Sequence, residues 1–171
     1  MDLQNFQKEI WIYRNKLLRF ANQLLHQASD AEDIVQEVFL RMWKMGEKLN
    51  EYNSKEALAM QITKNLCADK RKLKQSQNYA LEDNAYRTLS DAPSPHKTTE
   101  LKDTKSWIDF AITQLPENQQ VIIKLRDIEE YEFEEIAEIL KMDINAIRVN
   151  LSRARKKIRD FLTEKENYEQ K

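Results

Sequence analysis

Hydrogen-bonding and cationic side chains are concentrated in a short stretch near the carboxyl end of the sequence. They are Arg148, Asn150, Ser152, Arg153, Arg155 and Lys156. An arginine can form two parallel hydrogen bonds with guanine and an asparagine can do so with adenine, while serine, lysine and other arginines can hold phosphates. We find no catalytic constellation in the sequence, so these residues indicate recognition of an anionic partner and no enzymatic step.

The charge of the chain reverses just before this stretch. Residues 117–140 hold eight acids and two bases, a net charge of −6, whereas residues 141–160 hold seven bases and two acids, a net charge of +5. Apolar residues recur at helical spacing on both sides, which predicts two amphipathic helices joined by a short break. An acidic supporting helix followed by a basic helix is typical of a helix-turn-helix, so we expect a DNA partner. The alternative is an ordinary helical hairpin with a solvated basic face.

A second basic cluster ends a predicted helix over residues 56–74. Its bases are Lys64, Lys70, Arg71, Lys72 and Lys74, and Asp69 lies among them. The polar loop at residues 49–55 precedes this helix and offers Tyr52 and Asn53, a stacking ring and an amide suited to an extruded base. The alternative is a solvated helix end, which the helix dipole also favours.

The predicted helix over residues 31–48 has an apolar stripe wider than a single core contact needs. Phe39 and Trp43 widen the stripe. Polar and charged side chains flank these rings, namely Asp33, Gln36, Glu37 and Arg41. Aromatic residues with a polar rim are typical of protein interfaces. The alternative places all of these rings in the core.

The composition predicts the all-α class that these helices require. The chain has one glycine and three prolines, and 33% of its residues are charged. Helical periodicity extends over most of the sequence. The net charge of −1 conceals the segregation of charge that indicates nucleic acid. We expect helices over residues 4–27, 31–48, 56–74, 100–114 and 116–128, followed by the helix-turn-helix, with Ser29 or Asp30 capping the second helix.

The helices divide into two small predicted domains, at residues 1–75 and 105–165. Residues 76–104 lose helical periodicity and contain Pro93 and Pro95, so we expect a flexible linker there. The start of the sequence lacks the basic and apolar segments of a signal peptide, and no apolar run approaches the roughly 18 to 20 residues of a membrane span. The single cysteine, Cys67, fits a reducing cytoplasm, and His26 and His96 have no neighbours at ligand spacing. We therefore expect a cytoplasmic protein with no membrane insertion, metal or cofactor.

Three segments resemble the conserved regions of one bacterial protein family. Residues 30–43 read DAEDIVQEVFLRMW and resemble region 2.2 of sigma-70-type factors. Residues 62–72 read ITKNLCADKRK and resemble the start of region 2.4, and residues 115–158 resemble region 4. No region 3 lies between them, so the closest likeness is to the extracytoplasmic-function (ECF) group.

The resemblance implies roles for each of the three surfaces. The helical face of Asp33, Gln36, Glu37, Phe39 and Trp43 would grip the clamp helices of the polymerase β′ subunit. The −10 promoter element would be read and melted by Tyr52, Asn53, Asn65, Asp69, Lys70, Arg71, Lys72 and Lys74. The −35 element would be read by Arg148, Val149, Asn150, Ser152 and Arg153, together with Arg155 and Lys156. The resemblance also implies a β-flap contact for the acidic helix, an anti-sigma partner and no small-molecule substrate.

The chain departs from the family pattern in two predicted turns. Lys141 stands where the helix-turn-helix break usually has glycine, so this turn must avoid or tolerate a positive φ. Glu130 replaces another common glycine. Leu58 replaces a usual tryptophan, and Glu132 replaces a usual serine or threonine cap. A stand-alone helix-turn-helix regulator, with its first domain used for oligomerisation, remains the alternative function. A purely structural helical adaptor without salt-dependent DNA affinity is a third.

Overall fold

The computed structural model describes residues 3–81 and 100–169, and every regular element in these two ranges is helical. The all-α class predicted from composition is therefore confirmed. The first range contains α1 (Leu3–Ile10), a 3₁₀ turn (Trp11–Tyr13), α2 (Arg14–Leu25), α3 (Ala28–Met45), a second 3₁₀ turn (Gly46–Glu51) and α4 (Lys55–Leu81). The second range contains α5 (Glu100–Thr113), α6 (Glu117–Ile123), a π-helical turn (Lys124–Ile128), α7 (Phe133–Leu140) and α8 (Ile144–Glu169).

The described residues form two compact units. The first unit contains α1 to α4 together with residues 134–141, and the second contains residues 100–133 and 142–169. Helix α4 continues to Leu81, beyond residue 75 where we expected the first domain to end. Residues 82–99, most of the predicted linker, lie outside the described residues.

In the first unit, α2, α3 and α4 pack against one another around a single apolar core. Its largest fully buried side chains are Ile10, Leu17, Phe20, Val38, Met42, Leu49 and Met60. Leu17 and Phe20 of α2 are three positions apart and Val38 and Met42 of α3 are four apart, so each of these two helices turns one stripe inward. Burial of each such side chain contributes about 1.5–3 kcal/mol, so the apolar core stabilises the unit substantially.

The predicted first helix, residues 4–27, is interrupted by the 3₁₀ turn at Trp11–Tyr13. The sequence from Ile10 to Tyr13 combines β-branched and aromatic residues, which lose side-chain freedom in an α-helix. The tighter turn changes the helical register. As a result Trp11 and Ile12 are 53% and 68% exposed.

Helix α3 begins at Ala28, three residues before the predicted start. The prediction that Ser29 or Asp30 caps this helix is therefore wrong. Gln27 is the extended residue before the helix and makes no side-chain cap. Asp30 instead lies in the first turn, where a carboxylate complements the helix dipole.

In the second unit, α5 and α6 pack on α8. The buried side chains include Ile122, Leu125, Ile147, Leu151 and Ala154. The π-helical turn after α6 is closed by a hydrogen bond of 2.9 Å from the Glu129 amide to the Lys124 carbonyl. This wider turn was not predicted, because periodicity near 3.6 residues does not distinguish it from an α-helix. No helix of the described residues is long and apolar enough to cross a membrane.

Both departures from glycine noted in the sequence fall at left-handed backbone positions. Lys141 has φ 52° and Glu130 has φ 61°, and His26, after α2, has φ 54°. A residue with a Cβ adopts this conformation at a cost of roughly 1–2 kcal/mol. The chain therefore holds both turns in strained backbone and does not avoid the positive φ.

Candidate nucleic-acid and protein interfaces

Helix α8 is initiated by a side-chain cap at Asp143. The Asp143 carboxylate accepts hydrogen bonds from the amides of Asn145, at 2.8 Å, and Ala146, at 3.3 Å. Two of the amide donors that a helix start leaves without partners are thereby satisfied. The cap fixes where α8 begins, and hence which of its residues share a face.

Five predicted −35 residues form one exposed face of α8. They are Arg148, Val149, Ser152, Arg153 and Lys156, and each is exposed. At 3.6 residues per turn these positions fall within about 140° of the helix circumference. The opposite side carries the buried residues Ile147, Leu151 and Ala154. We call these five residues the reading face, because arginine, serine and lysine donors all project from it.

Asn150 and Arg155, two further predicted −35 residues, lie outside the reading face. The Asn150 amide group donates a hydrogen bond of 2.9 Å to the Ala146 carbonyl of its own helix. The Arg155 guanidinium donates to the Asp127 carboxylate, at 3.0 Å from Nε and 2.5 Å from Nη2. This ion pair raises the pKa of Arg155 and connects α8 to the π-helical turn. Each side chain is already engaged within the second unit.

Arg148 is held at the edge of the reading face by an aromatic ring. Its guanidinium carbon lies 5.1 Å from the centroid of Phe133, and that of Arg126 lies 4.9 Å from the same centroid. Both distances are within the range of cation–π attraction. Arg126 also donates to Glu132 at 2.9 Å, the residue that replaces the usual serine or threonine cap. The ring therefore restricts Arg148 while leaving it exposed to solvent.

The polar loop at residues 49–55, which we call the predicted base-capture loop, is anchored at both of its ends. Leu49 is fully buried, and Ser54 Oγ accepts a hydrogen bond of 3.0 Å from the Ala57 amide at the start of α4. Between these anchors Tyr52 and Asn53 are exposed. An exposed ring and an amide on a fixed loop can stack on and hydrogen-bond to a base that has left its duplex.

Helix α4 presents the predicted −10 residues on two different sides. Asn65, Asp69 and Lys72 are exposed and lie on one side at spacings of four and three residues. Lys70 and Lys74 lie on the other side and pair with Asp30 of α3. Arg71 is half-buried between these two sides. The helix therefore has one open polar face and one face already neutralised by an acid.

The pairing with Lys74 and Lys70 lowers the pKa of Asp30. Hydrogen bonds from Lys74 and then from Lys70 hold the pKa of Asp30 below its ordinary value. Asp30 is consequently charged at neutral pH, and both lysines are partnered by a full negative charge. The sequence predicted Asp30 only as a possible helix cap and did not predict its pairing with Lys70 and Lys74, although Asp30 is the first residue of the motif that resembles region 2.2.

The predicted polymerase face on α3 contains both exposed and buried members. Asp33 and Gln36 are exposed, and Glu37 accepts a hydrogen bond of 2.7 Å from Arg41 of the next turn. Trp43 is 39% exposed, whereas Phe39 is only 8% exposed. The Trp43 ring is therefore partly exposed to solvent, whereas Phe39 belongs to the core.

The Trp11 ring stacks on the Phe39 ring and is exposed at the surface, whereas Phe39 is buried beneath it. The two rings are stacked with centroids 5.2 Å apart, and Phe6 meets Phe39 and Trp43 edge-on at 6.5 and 5.2 Å. The Arg14 guanidinium lies 5.8 Å above Trp11. The sequence did carry a signal for Trp11, because it falls off the buried stripe that contains Ile10 and Leu17.

The remaining reactive groups do not form a chemical site in the described ranges. Burial raises the pKa of the Cys67 thiol to about 12, so the thiol stays protonated and unreactive at neutral pH. No cluster of three or more histidine, cysteine, aspartate or glutamate residues in the described ranges is arranged to hold a metal ion.

Two family models match the chain in the order of its two units. The model described as sigma-70 region 2 matches residues 12–77, and the model described as sigma-70, region 4 matches residues 105–158. Together the two matches cover more than half of the chain. They include the predicted base-capture loop, the α3 and α4 faces and the reading face.

Similar proteins match over nearly the full length. The chain is 24% identical over 168 residues to the RNA polymerase sigma-H factor of Pseudomonas aeruginosa, covering 92% of this chain and 86% of that protein. It is 24% identical over 170 residues to the ECF RNA polymerase sigma factor SigW of Bacillus subtilis, covering 94% and 90%. The sigma factor RpoE of Bartonella quintana, solved in complex with the anti-sigma factor NepR, shares the fold. Its TM-score is 0.72 at 20% identity, with 94% of this chain and 98% of that chain covered.

Proposed function

The chain belongs to the sigma-70 family of RNA polymerase factors, in its ECF group, and we propose that three of its surfaces divide the work of promoter recognition. As a sigma factor it binds core polymerase and directs initiation at promoters. The proposal concerns which residues act. The observation that carries it is the exposed reading face on α8, opposite a fully buried apolar side.

The reading face would contact the −35 element. Arg148 and Arg153 can pair with guanine, Val149 can contact a thymine methyl group, and Ser152 and Lys156 can hold phosphates. Asn150 and Arg155 would act indirectly, because their polar groups are bonded within the second unit. Selectivity at −35 would thus come from fewer side chains than the sequence alone suggested.

The first unit would capture and read the −10 element. An unstacked base would stack on Tyr52 and hydrogen-bond to Asn53, and Asn65 and Lys72 would follow the strand along the open face of α4. Unstacking a base costs a few kcal/mol, so capture must supply a comparable free energy. Two weak DNA contacts held in one holoenzyme gain effective concentration, which allows each to be weak alone.

The surface formed by Asp33, Gln36, Glu37 and Trp43 would bind the clamp helices of the polymerase β′ subunit. Exposed Trp43 beside Phe6 has the character of an interface anchor with a polar rim. The acidic helix α7 would meet the β flap. Because RpoE of Bartonella quintana was solved with an anti-sigma factor, we propose an anti-sigma partner here too, acting in the cytoplasm. No covalent step is assigned to any of these surfaces.

Runoff transcription with purified core polymerase tests this function. Adding the chain to core and fragmented genomic DNA should yield transcripts that start downstream of shared −35 and −10 sequences. The double variant R148A/R153A should lose these transcripts, and K157A, which removes a neighbouring cation outside the reading face, should retain them. A chain that binds no core polymerase and directs no initiation would rule the proposal out.

The rival function, a stand-alone helix-turn-helix regulator, makes the opposite prediction in a gel shift. Such a regulator binds a duplex operator without polymerase, usually as a dimer on a palindrome. We expect instead that a specific shift on promoter DNA requires core polymerase. A tight polymerase-independent shift would favour the regulator.

A further inference from the structure

One carboxylate of α3 neutralises two cations of α4. Lys70 Nζ lies 3.1 Å from Asp30 Oδ1, and Lys74 donates a hydrogen bond to Asp30 Oδ2. Lys74 also donates to Gln27 Oε1 at 2.7 Å, and Asp33 Oδ2 is 4.0 Å from Lys70. All five residues belong to the first unit, and the two lysines lie one helical turn apart.

Removing both lysines from the Asp30 carboxylate is energetically unfavourable, because little water reaches this carboxylate to replace them. Its side chain is 11% exposed, whereas those of Lys70 and Lys74 are 30% and 43% exposed. A lysine that turned to a DNA phosphate would leave a charged acceptor with little water to replace it, and leaving such a group unsatisfied is costly. A contact between a lysine and a phosphate must therefore be more favourable than the ion pair with Asp30 that it replaces.

The location of these lysines decides what the pairing does. The proposed function puts the DNA strand on the open face of α4, and Lys70 and Lys74 lie on the other side of this helix. A lysine released from Asp30 has a flexible four-carbon stem, which lets its charge turn toward a phosphate of that strand. Contacts between lysines and phosphates supply affinity that is independent of sequence, whereas base contacts supply discrimination. Withholding two cations from phosphates lowers affinity for all DNA and leaves the base contacts of Asn53 and Asn65 in place.

We propose that Asp30 is a specificity-setting residue. It holds Lys70 and Lys74 away from DNA phosphates and so suppresses nonspecific DNA binding by the part of the first unit that would read the −10 element. This inference rests on the proposed function, because it requires α4 to face DNA. It assigns Lys70 and Lys74 to the contact between α3 and α4, and it leaves Lys72 as an exposed lysine on the open face.

The dependence of DNA affinity on salt tests the inference directly. The full-length chain is titrated onto a labelled duplex without promoter elements at several salt concentrations. The D30N variant keeps the shape of the side chain but releases two cations, so the slope of log K against log salt should steepen by about 1.8, or roughly 0.9 for each new phosphate contact. An unchanged D30N slope, or equally weak binding by both proteins, overturns the inference.

A matched control separates the release of two lysines from a change in net charge. Glu32 is an exposed acid two residues from Asp30 on the same helix. The E32Q variant changes the net charge by the same amount and frees no lysine of the cluster. Its slope should equal that of the native chain, and a slope like that of D30N would assign the effect to net charge alone.

The two lysines provide a second test, and its measurements on the otherwise native chain do not depend on the folding of D30N. K70Q/K74Q in the otherwise native chain should leave the slope unchanged, and in the D30N chain it should restore the native value. K72Q should flatten the slope by about 0.9. If K70Q/K74Q flattens the native slope by more than K72Q does, the two lysines already contact DNA and the inference fails.

Failure of the inference can be told apart from failure of the proposed function. Native chain that directs initiation in runoff transcription, with equal slopes for native and D30N proteins, refutes only the role of Asp30. If the native chain directs no initiation, the proposed function is refuted, whatever the salt slopes are. Thermal unfolding of each variant, followed by circular dichroism, verifies that the slopes compare folded proteins.

Discussion

Arg155 of α8 and Asp127 of the π-helical turn form an ion pair with two hydrogen bonds, of 3.0 and 2.5 Å. Sequence reasoning assigned Arg155 to DNA, because it lies among other cations of the basic helix. The carboxylate that holds it comes from a turn whose irregular geometry the sequence did not reveal. The pair therefore stabilises the second unit and leaves the reading face to its neighbours.

We predict that breaking this pair lowers the free energy of unfolding by a modest amount. Half of the Arg155 side chain is exposed, so solvent screens the interaction, and the coupling energy should be about 0.5–1 kcal/mol. A double-mutant cycle with R155A, D127A and the double variant in urea measures it. R155K should lose most of the coupling, because lysine lacks the planar fork. A coupling energy of zero would remove the structural role.

Lys156 and Lys157 are adjacent lysines on different sides of α8, and they offer a matched pair for the reading face. Lys156 lies within the face, whereas Lys157 falls about 100° further around the helix. K156A should flatten the salt dependence of holoenzyme binding to promoter DNA by about 0.9, the value for one phosphate contact. K157A should change it little. Equal effects of the two variants would mean that α8 enters the groove in a different orientation.

Glycine at the strained turns should stabilise the protein. K141G and E130G remove a Cβ from left-handed backbone, and each should raise the free energy of unfolding by about 0.5–1 kcal/mol after the added freedom of the unfolded chain is subtracted. K141A removes the same charge and keeps the Cβ, so it should give no comparable gain. Chemical denaturation measures all three. A gain from K141A as large as that from K141G would point to charge as the cause.

Phe39 and Trp43 should separate stability from binding. Phe39 is buried beneath Trp11, so F39A should cost about 3–5 kcal/mol of unfolding free energy. Trp43 is more exposed to solvent than Phe39. The W43A change should therefore reduce the free energy of binding to core polymerase by more than it reduces the free energy of unfolding. Thermal melts and a pull-down with core polymerase measure the two effects. Strong core binding by a folded W43A chain would exclude Trp43 as an anchor.

Much of the fold could be predicted from periodicity and composition. The scarcity of glycine and proline, with apolar residues three and four positions apart, gave the all-α class and the approximate position of every helix. Local irregularities were missed, namely the 3₁₀ turn at Trp11–Tyr13, the π-helical turn at Lys124–Ile128 and the early start of α3. Each depends on small differences in backbone energy that packing decides and residue propensities do not.

The candidate sites show the same division. Exposure of Arg148, Arg153 and Lys156 follows from helical spacing, because the apolar residues of α8 must face inward. The engagement of Lys70, Lys74 and Arg155 does not follow from spacing. Their partners stand 28 to 44 residues away in the sequence, a separation that carries no local pattern.

The helical class, the reversal of charge before α8 and the family to which the chain belongs could all be predicted from the sequence. These properties are carried by residue type and local order, which hydrophobic periodicity and motif spacing express directly. The packing of the helices decides which cations are held in ion pairs and which aromatic rings reach the surface. An ion pair such as Asp30–Lys74 or a ring stack such as Trp11–Phe39 forms when separate helices meet, and their meeting is a property of the packed core.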